Sequence, residues 1–159
     1  MSSLEQRMDA LEARTRAAED ELAIIRLVAS YGPLVDCGSV DLAPALFGDD
    51  GIYDVSYGRT TGADEFSQLL RGPDHQGMLA RGIAHVMGLP WVRVDGDEAV
   101  AINCTQLYLR DGDGFTVFRV AQNTWKLART PDGGWEIRER TNRLIGPNGE
   151  ARDLLLATV

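Results

Sequence analysis

Between Ile24 and Asp36 the chain reads IIRLVASYGPLVD, and Ile24, Leu27, Val28, Tyr31, Leu34 and Val35 recur at three- and four-residue steps. That spacing puts apolar side chains on one stripe of a helix and predicts the floor of a core. Upstream, Leu4, Met8, Leu11, Thr15, Ala18, Leu22 and Ile25 alternate four- and three-residue steps, the a/d pattern of a narrow packing seam. Glu5, Arg7, Glu12, Arg14, Arg16 and Glu19 fill the outer positions. Such a segment is expected to lie against a neighbouring subunit or its own domain. Gly32 and Pro33 predict a kink or short break near Tyr31, because proline lacks an N–H and crowds the carbonyl one turn back. Tyr31 and Asp36 stand about 140° apart on an ideal helix. A kink is one way to turn both toward a single cavity.

Beyond the helix, Asp41 is positioned to cap a short helix through Phe47, followed by a turn over Gly48 to Gly51. Ile52 to Tyr57 alternates as a strand, with Tyr53, Val55 and Tyr57 on one side. Thr60 to Gly62 turns into a helix over Ala63 to Leu70, ended by Gly72 and Pro73. From Arg81 the period changes to two. Strands are predicted over 82–94, 98–110, 115–129 and 135–145, separated by the glycine-bearing turns DGDE, RDGDG and TPDGG. Helices first and a four-stranded antiparallel meander after imply an α+β layer structure with the helices on the concave side of the sheet.

Length and charge narrow the functional classes. A chain of 159 residues with 44% apolar composition fits one domain, 1–159, with a helical arm over 1–20 and a tail over 146–159. The formal net charge of -8 opposes binding to phosphate backbones, so nucleic acid is not an expected partner. No apolar run approaches the roughly 20 residues of a membrane span, and the charged MSSLEQRMDALEAR start is unlike a signal peptide. A soluble, cytoplasmic protein is expected. The two cysteines, Cys37 and Cys104, have no zinc-like spacing and read as buried small hydrophobes.

Candidate chemistry centres on the two histidines. His75, in the turn-rich GPDHQG, reads as solvated. His85 interrupts an apolar strand on the side that carries Ile83 and Met87; such a histidine is ordinarily a satisfied core residue. Here Asp36, a carboxylate carried to the edge of an apolar helix face, needs a partner, and His85 is the one expected. An imidazole oriented by a carboxylate is a usable general base near neutral pH. Tyr31 and Tyr53 read either as core aromatics or as phenols that polarise a substrate carbonyl. Arg143 alternates with Thr141 and Ile145 and reads either as a surface ion pair or as a guanidinium in the cavity. Asn103 and Thr105 lie opposite Cys104 and Gln106, and the pattern does not choose which pair faces inward. No phosphate loop, serine nucleophile or metal triad appears, which leaves proton transfer without a cofactor.

The order of these elements, with LEQRMDALEAR, LFGDDGIYDV, IAHVMGLPWVRV and DGGWEIRERTNRLIG, resembles the SnoaL-like group of the NTF2-like superfamily over nearly the whole chain. The resemblance implies a cone-shaped α+β barrel around an apolar cavity. It is greatest to the cofactor-independent dehydratases and lyases: scytalone dehydratase, hexachlorocyclohexane dehydrochlorinase and bile acid 7α-dehydratase. These pair a strand histidine with an aspartate after the first helix, matched here by His85 and Asp36. Tyr31 and Arg143 fall where bile acid dehydratase-like sequences carry a tyrosine and an arginine, and Tyr53 where the group has an aromatic. Scytalone dehydratase's second histidine has no counterpart in AINCTQLYL.

The implied function is a lyase acting on a bulky apolar substrate of steroid, terpenoid or polyketide type. His85, Asp36 and Tyr31 would be catalytic; Tyr53, Arg143, Asn103, Met87 and Tyr57 would bind substrate. An isomerase or cyclase using the same dyad, or a pure binding protein, are the alternatives. Relatives commonly form dimers or trimers, so a homo-oligomer is expected.

Overall fold

The computed structural model describes residues 3–158. Helix α1 (Leu4–Asp36) begins at a capping box, in which Ser3 Oγ accepts from the Gln6 backbone at 3.1 Å and Gln6 Oε1 accepts from the Ser3 backbone at 2.9 Å. It bears the expected stripe, with Ile24, Val28, Tyr31 and Val35 buried. The predicted break is absent. The helix continues through Pro33, whose carbonyl accepts from the Cys37 N–H at 3.0 Å. Gly32 is a contact rather than a breaker: a Cβ there would lie 2.7 Å from the His85 carbonyl oxygen. Lacking one, α1 seats directly on the strand that carries His85.

After α1, Pro44–Leu46 form a single 3₁₀ turn. Asp41 does not cap it with its side chain; its carbonyl accepts from Ala45 and its carboxylate pairs with Arg71 at 3.3 Å. Strand β1 (Phe47–Val55) already includes the stretch expected as a turn, which it accommodates as an irregularity between Phe47 and Ile52. It forms a hairpin with β2 (Gly58–Thr61). Helix α2 (Gly62–Arg71) follows, and a second short helix, α3 (Pro73–Arg81), was not expected. Pro73 starts a helix here instead of only stopping one, because the first turn has no use for the N–H that proline lacks.

The predicted strand 82–94 is two strands, β3 (Ile83–Met87) and β4 (Trp91–Asp95), both antiparallel to β5 (Glu98–Asp111). Gly88-Leu89-Pro90 divides them, and across it the pairing moves by one residue: Met87 is opposite Thr105, Trp91 opposite Ile102. Inward positions therefore change from His85 and Met87 to Val92 and Val94. β6 (Gly114–Arg129) and β7 (Trp135–Leu144) complete the sheet, in the order β2-β1-β7-β6-β5-β3 with β4 beside β5. The sheet is mixed and not wholly antiparallel, since β1 runs parallel to β7. The C-terminal tail folds as α4 (Glu150–Leu156) against β6 and β7. The result is the expected α+β cone: a curved open sheet holding α1 and α2 over a core of Ile24, Val28, Tyr31, Phe66, Trp125 and Ile137. No described helix is long and apolar enough to cross a membrane.

Candidate functional site

Asp36 closes α1, and the Gly32 contact holds that end of the helix against β3. The carboxylate then takes hold of His85 twice. Oδ1 lies 2.6 Å from the ring Nδ1, and Oδ2 accepts from the His85 backbone N–H at 2.6 Å. A carboxylate on Nδ1 assigns the proton to that nitrogen and leaves the Nε2 lone pair free. The ring lines a cavity of 640 Å³ whose walls include Val35, Leu70, Met78 and Phe118. That volume lies within the range of small-molecule sites.

Opposite the dyad, Tyr31 and Tyr53 stack with Phe66 in one aromatic layer. Tyr31 lines the cavity itself, whereas Asp36 reaches it only through His85. The guanidinium beside these phenols belongs to Arg140. Its Nη1 donates to Tyr31 Oη at 3.0 Å and its Nη2 to Asn123 Oδ1 at 2.8 Å, and its central carbon lies 4.4, 5.1 and 5.0 Å from the ring centroids of Tyr31, Tyr53 and Trp125. It is 3% exposed, has no carboxylate among its described partners, and leaves Nε without one. Burial opposes its charge, but the surrounding phenols outweigh that and keep it protonated. Burial holds the Tyr31 phenol well above the usual tyrosine value. Burial also raises Tyr53, but the Arg140 charge and the polar groups of Tyr31 and Arg140 beside it outweigh that and hold the phenol below the usual value. Between His85, Tyr53, Thr105 and Arg140 lies a recess of 30 Å³, room for one water-sized group.

The arginine expected from alternation, Arg143, is elsewhere. It pairs with Asp54 at 2.6 Å and does not line the cavity. The reason is a bulge in β7: Ile137 is opposite Leu127 and Glu139 opposite Lys126, so Arg138 is an extra residue. Past it the inward phase changes from Trp135 and Ile137 to Arg140 and Asn142. The sequence carries a trace of this, since apolar residues move from odd positions, Trp135 and Ile137, to even Leu144.

Asn103 and Thr105 are the inward pair on β5, yet Asn103 is occupied by structure. Its Oδ1 accepts from Trp125 Nε1 at 2.9 Å and its Nδ2 donates to the Gly88 carbonyl at 3.0 Å, across the break between β3 and β4. Asn123, missed in the sequence, is the hub beneath Arg140: it accepts from Arg140 and Asn142 and donates to Thr105 Oγ1 and the Asn103 carbonyl. Met87 packs on the core without lining the cavity, and Tyr57 stands more than half exposed at the mouth, with Arg119 over its ring. His75 is a correction: it is 8% exposed, on α3, in the cavity wall. Burial pushes its imidazole below the usual histidine value, and the His85 ring adds to this. Cys37 is exposed and Cys104 half-buried, not core residues. Among the described residues no cluster of three or more His, Cys, Asp or Glu is placed to hold a metal ion.

A family model for the SnoaL-like domain matches residues 16–141. An NTF2-like protein with a cystatin-like fold from Novosphingobium aromaticivorans is 35% identical, with 98% of each chain covered and a TM-score of 0.88. A scytalone dehydratase-like protein from the same organism is 19% identical over 84% of this chain and 89% of that one, TM-score 0.68. A protein from Catenulispora acidiphila, solved in complex with S-DNPA, is 15% identical over 86% and 96%, TM-score 0.68. At those identities the last two show shared fold alone. No curated protein matches the chain.

Proposed function

Taking as given that the chain belongs to the SnoaL-like family and has its NTF2-like cone, we propose that it is a cofactor-independent lyase eliminating water from a bulky apolar ketone. The observation that carries this is the 2.6 Å contact of His85 Nδ1 with Asp36, which leaves the second nitrogen unengaged by the carboxylate on a ring that lines the cavity. His85 Nε2 takes the proton from the carbon next to the carbonyl, and the electron pair moves onto the carbonyl oxygen. Asp36 stabilises the resulting imidazolium. The enolate oxygen fits the recess beside Tyr53 and Arg140, whose buried charge lacks a carboxylate and whose neighbouring phenol is the more acidic of the pair. Tyr31, which keeps its proton, positions Tyr53. Donors aimed at developing negative charge contribute several kcal/mol in such sites. When the enolate collapses, the carbon–oxygen bond to the β-hydroxyl breaks and the imidazolium returns its proton, releasing water. Return of the proton to another carbon would make the same site an isomerase.

The test is a panel of steroid- and polyketide-type β-hydroxyketones followed by enone absorbance, in D₂O and H₂O. His85→Ala is expected to lower turnover by about 10²–10⁴-fold with the fold intact. Unchanged turnover in that variant would eliminate the proposal, and solvent deuterium in product without loss of water would assign isomerisation. Ligands that bind and are never altered would assign a binding protein.

A further inference from the structure

Every residue from Ser3 to Glu19 is exposed, although all but Ser3 are helical. The arm extends about 24 Å beyond the part of α1 that the sheet covers. Its apolar side chains are the a/d seam, and they face away from the core. Leu4 is 74% exposed, Met8 53%, Leu11 56% and Leu22 45%. On an ideal helix this seam lies about 140° around the axis from the Ile24, Val28, Tyr31 and Val35 stripe. One helix therefore carries two apolar faces, and the chain's own sheet uses only one.

The charges flanking the seam specify its partner. With Met8, Thr15 and Leu22 at a and Leu4, Leu11, Ala18 and Ile25 at d, the g positions are Arg7, Arg14 and Glu21 and the e positions Glu5, Glu12, Glu19 and Arg26. A parallel pair of identical helices sets each g against the e five residues on in the other chain. That gives Arg7 with Glu12, Arg14 with Glu19, and Glu21 with Arg26, opposite in sign every time. Antiparallel pairing sets e against e, and in either register that aligns the seam Glu12 faces Glu19 or Glu12 of the other copy. Among the described residues none of the six matched charges is in an ion pair within its own chain, and all are exposed.

We propose that two copies of this chain associate through a parallel, in-register coiled coil of α1 residues 4–26. The sign reversal at Glu21 and Arg26 is what a single repeated motif would not produce and a paired seam does. The seam is short, with Thr15 and Ala18 in it, so the dimer exchanges in the micromolar range and dissociates on dilution.

Light scattering at tens of micromolar is expected to give twice the 17.4 kDa chain mass. Leu11→Glu with Leu22→Glu is expected to return it to one chain mass with an unchanged circular-dichroism melting profile for the cone. Arg7→Glu with Arg14→Glu should raise the dissociation constant tenfold or more, and adding Glu12→Arg with Glu19→Arg should restore it, which a fold defect would not allow. In a Cys37→Ser background, Ala18→Cys should form a disulfide dimer on mild oxidation, because parallel register puts each Ala18 beside its copy. A parent that stays monomeric, a dimer that survives the double leucine variant, or an uncross-linked Ala18→Cys overturns the proposal; the second result would place the contact on the sheet.

Discussion

Helix α1 grips the sheet through two carboxylates, Asp20 and Asp36, a little over four turns apart. Asp20 holds Arg129 through two contacts of 2.8 Å and accepts from Trp135 Nε1 at 3.1 Å; Asp36 holds His85 through two contacts of 2.6 Å. Burial hardly separates them. Aspartate and partner are 13% and 22% exposed in the first pair, 19% and 13% in the second. The difference is what the partner can do. Arg129 is pushed to hold its proton more tightly still, chiefly by Asp20, and its guanidinium lies over the Trp135 ring, 4.5 Å from the centroid. His85 uses one nitrogen for the carboxylate and carries the other on a ring that lines the cavity. The same local device is a clamp at one end of the helix and a candidate base at the other.

Exchanging the two aspartates for their amides is the sharpest way to test that division. Asp36→Asn should lower turnover by about 10²–10⁴-fold, since an amide no longer fixes the tautomer or stabilises the imidazolium. The next effect in size is Gly32→Ala, which must move α1 away from the His85 carbonyl. Overpacking of this kind costs about 1–3 kcal/mol, so melting should drop and turnover with it. Asp20→Asn should lower the melting midpoint by about a few degrees and leave turnover alone. The Arg129 hydrogen bond is the main cause holding the Asp20 carboxyl below its usual 3.8, so the stability it contributes is present at neutral pH and is lost as pH falls through that range.

The smallest effect concerns His75. Its folded-state pKa lies below the usual 6.5, so the unfolded chain takes up a proton first and stability declines as pH drops under about 6.5. His85 and Arg119 face it and add to the shift, while Asp36 and the Val35 backbone oppose it. Urea titrations at pH 7 and 5 should show His75→Gln gaining on the parent chain at the lower pH. A constant difference would show that His75 charges freely in the fold.

What the sequence disclosed follows from which signals are local. The periodicity of α1 gave the helix and its buried stripe, and two long alternating runs gave β5 and β6 to within a residue. Asp36 and His85 could be matched because each is anomalous in an apolar setting, and an unpaired buried charge is rare. The misreadings came from phase. Alternation taken as continuous joined β3 to β4 and turned Arg143 inward, whereas the break at Gly88-Leu89-Pro90 and the bulge at Arg138 each move the pattern by one. Arg140 was hidden by the second of these, whereas Asn123 shares the phase of Trp125 and Leu127 on β6 and was legible from it. His75 was lost with α3, when a proline that opens a helix was read only as one that ends it.

The extra residue in β7 has a consequence for the strand beyond it. Deleting Arg138 would take out the unpaired residue and leave Arg140 and Asn142 in the hollow, because Ile137, Glu139 and Arg140 already stand opposite the successive residues Leu127, Lys126 and Trp125. The bulge thus absorbs one residue at the edge of the strand while the wall beyond it keeps its phase with β6.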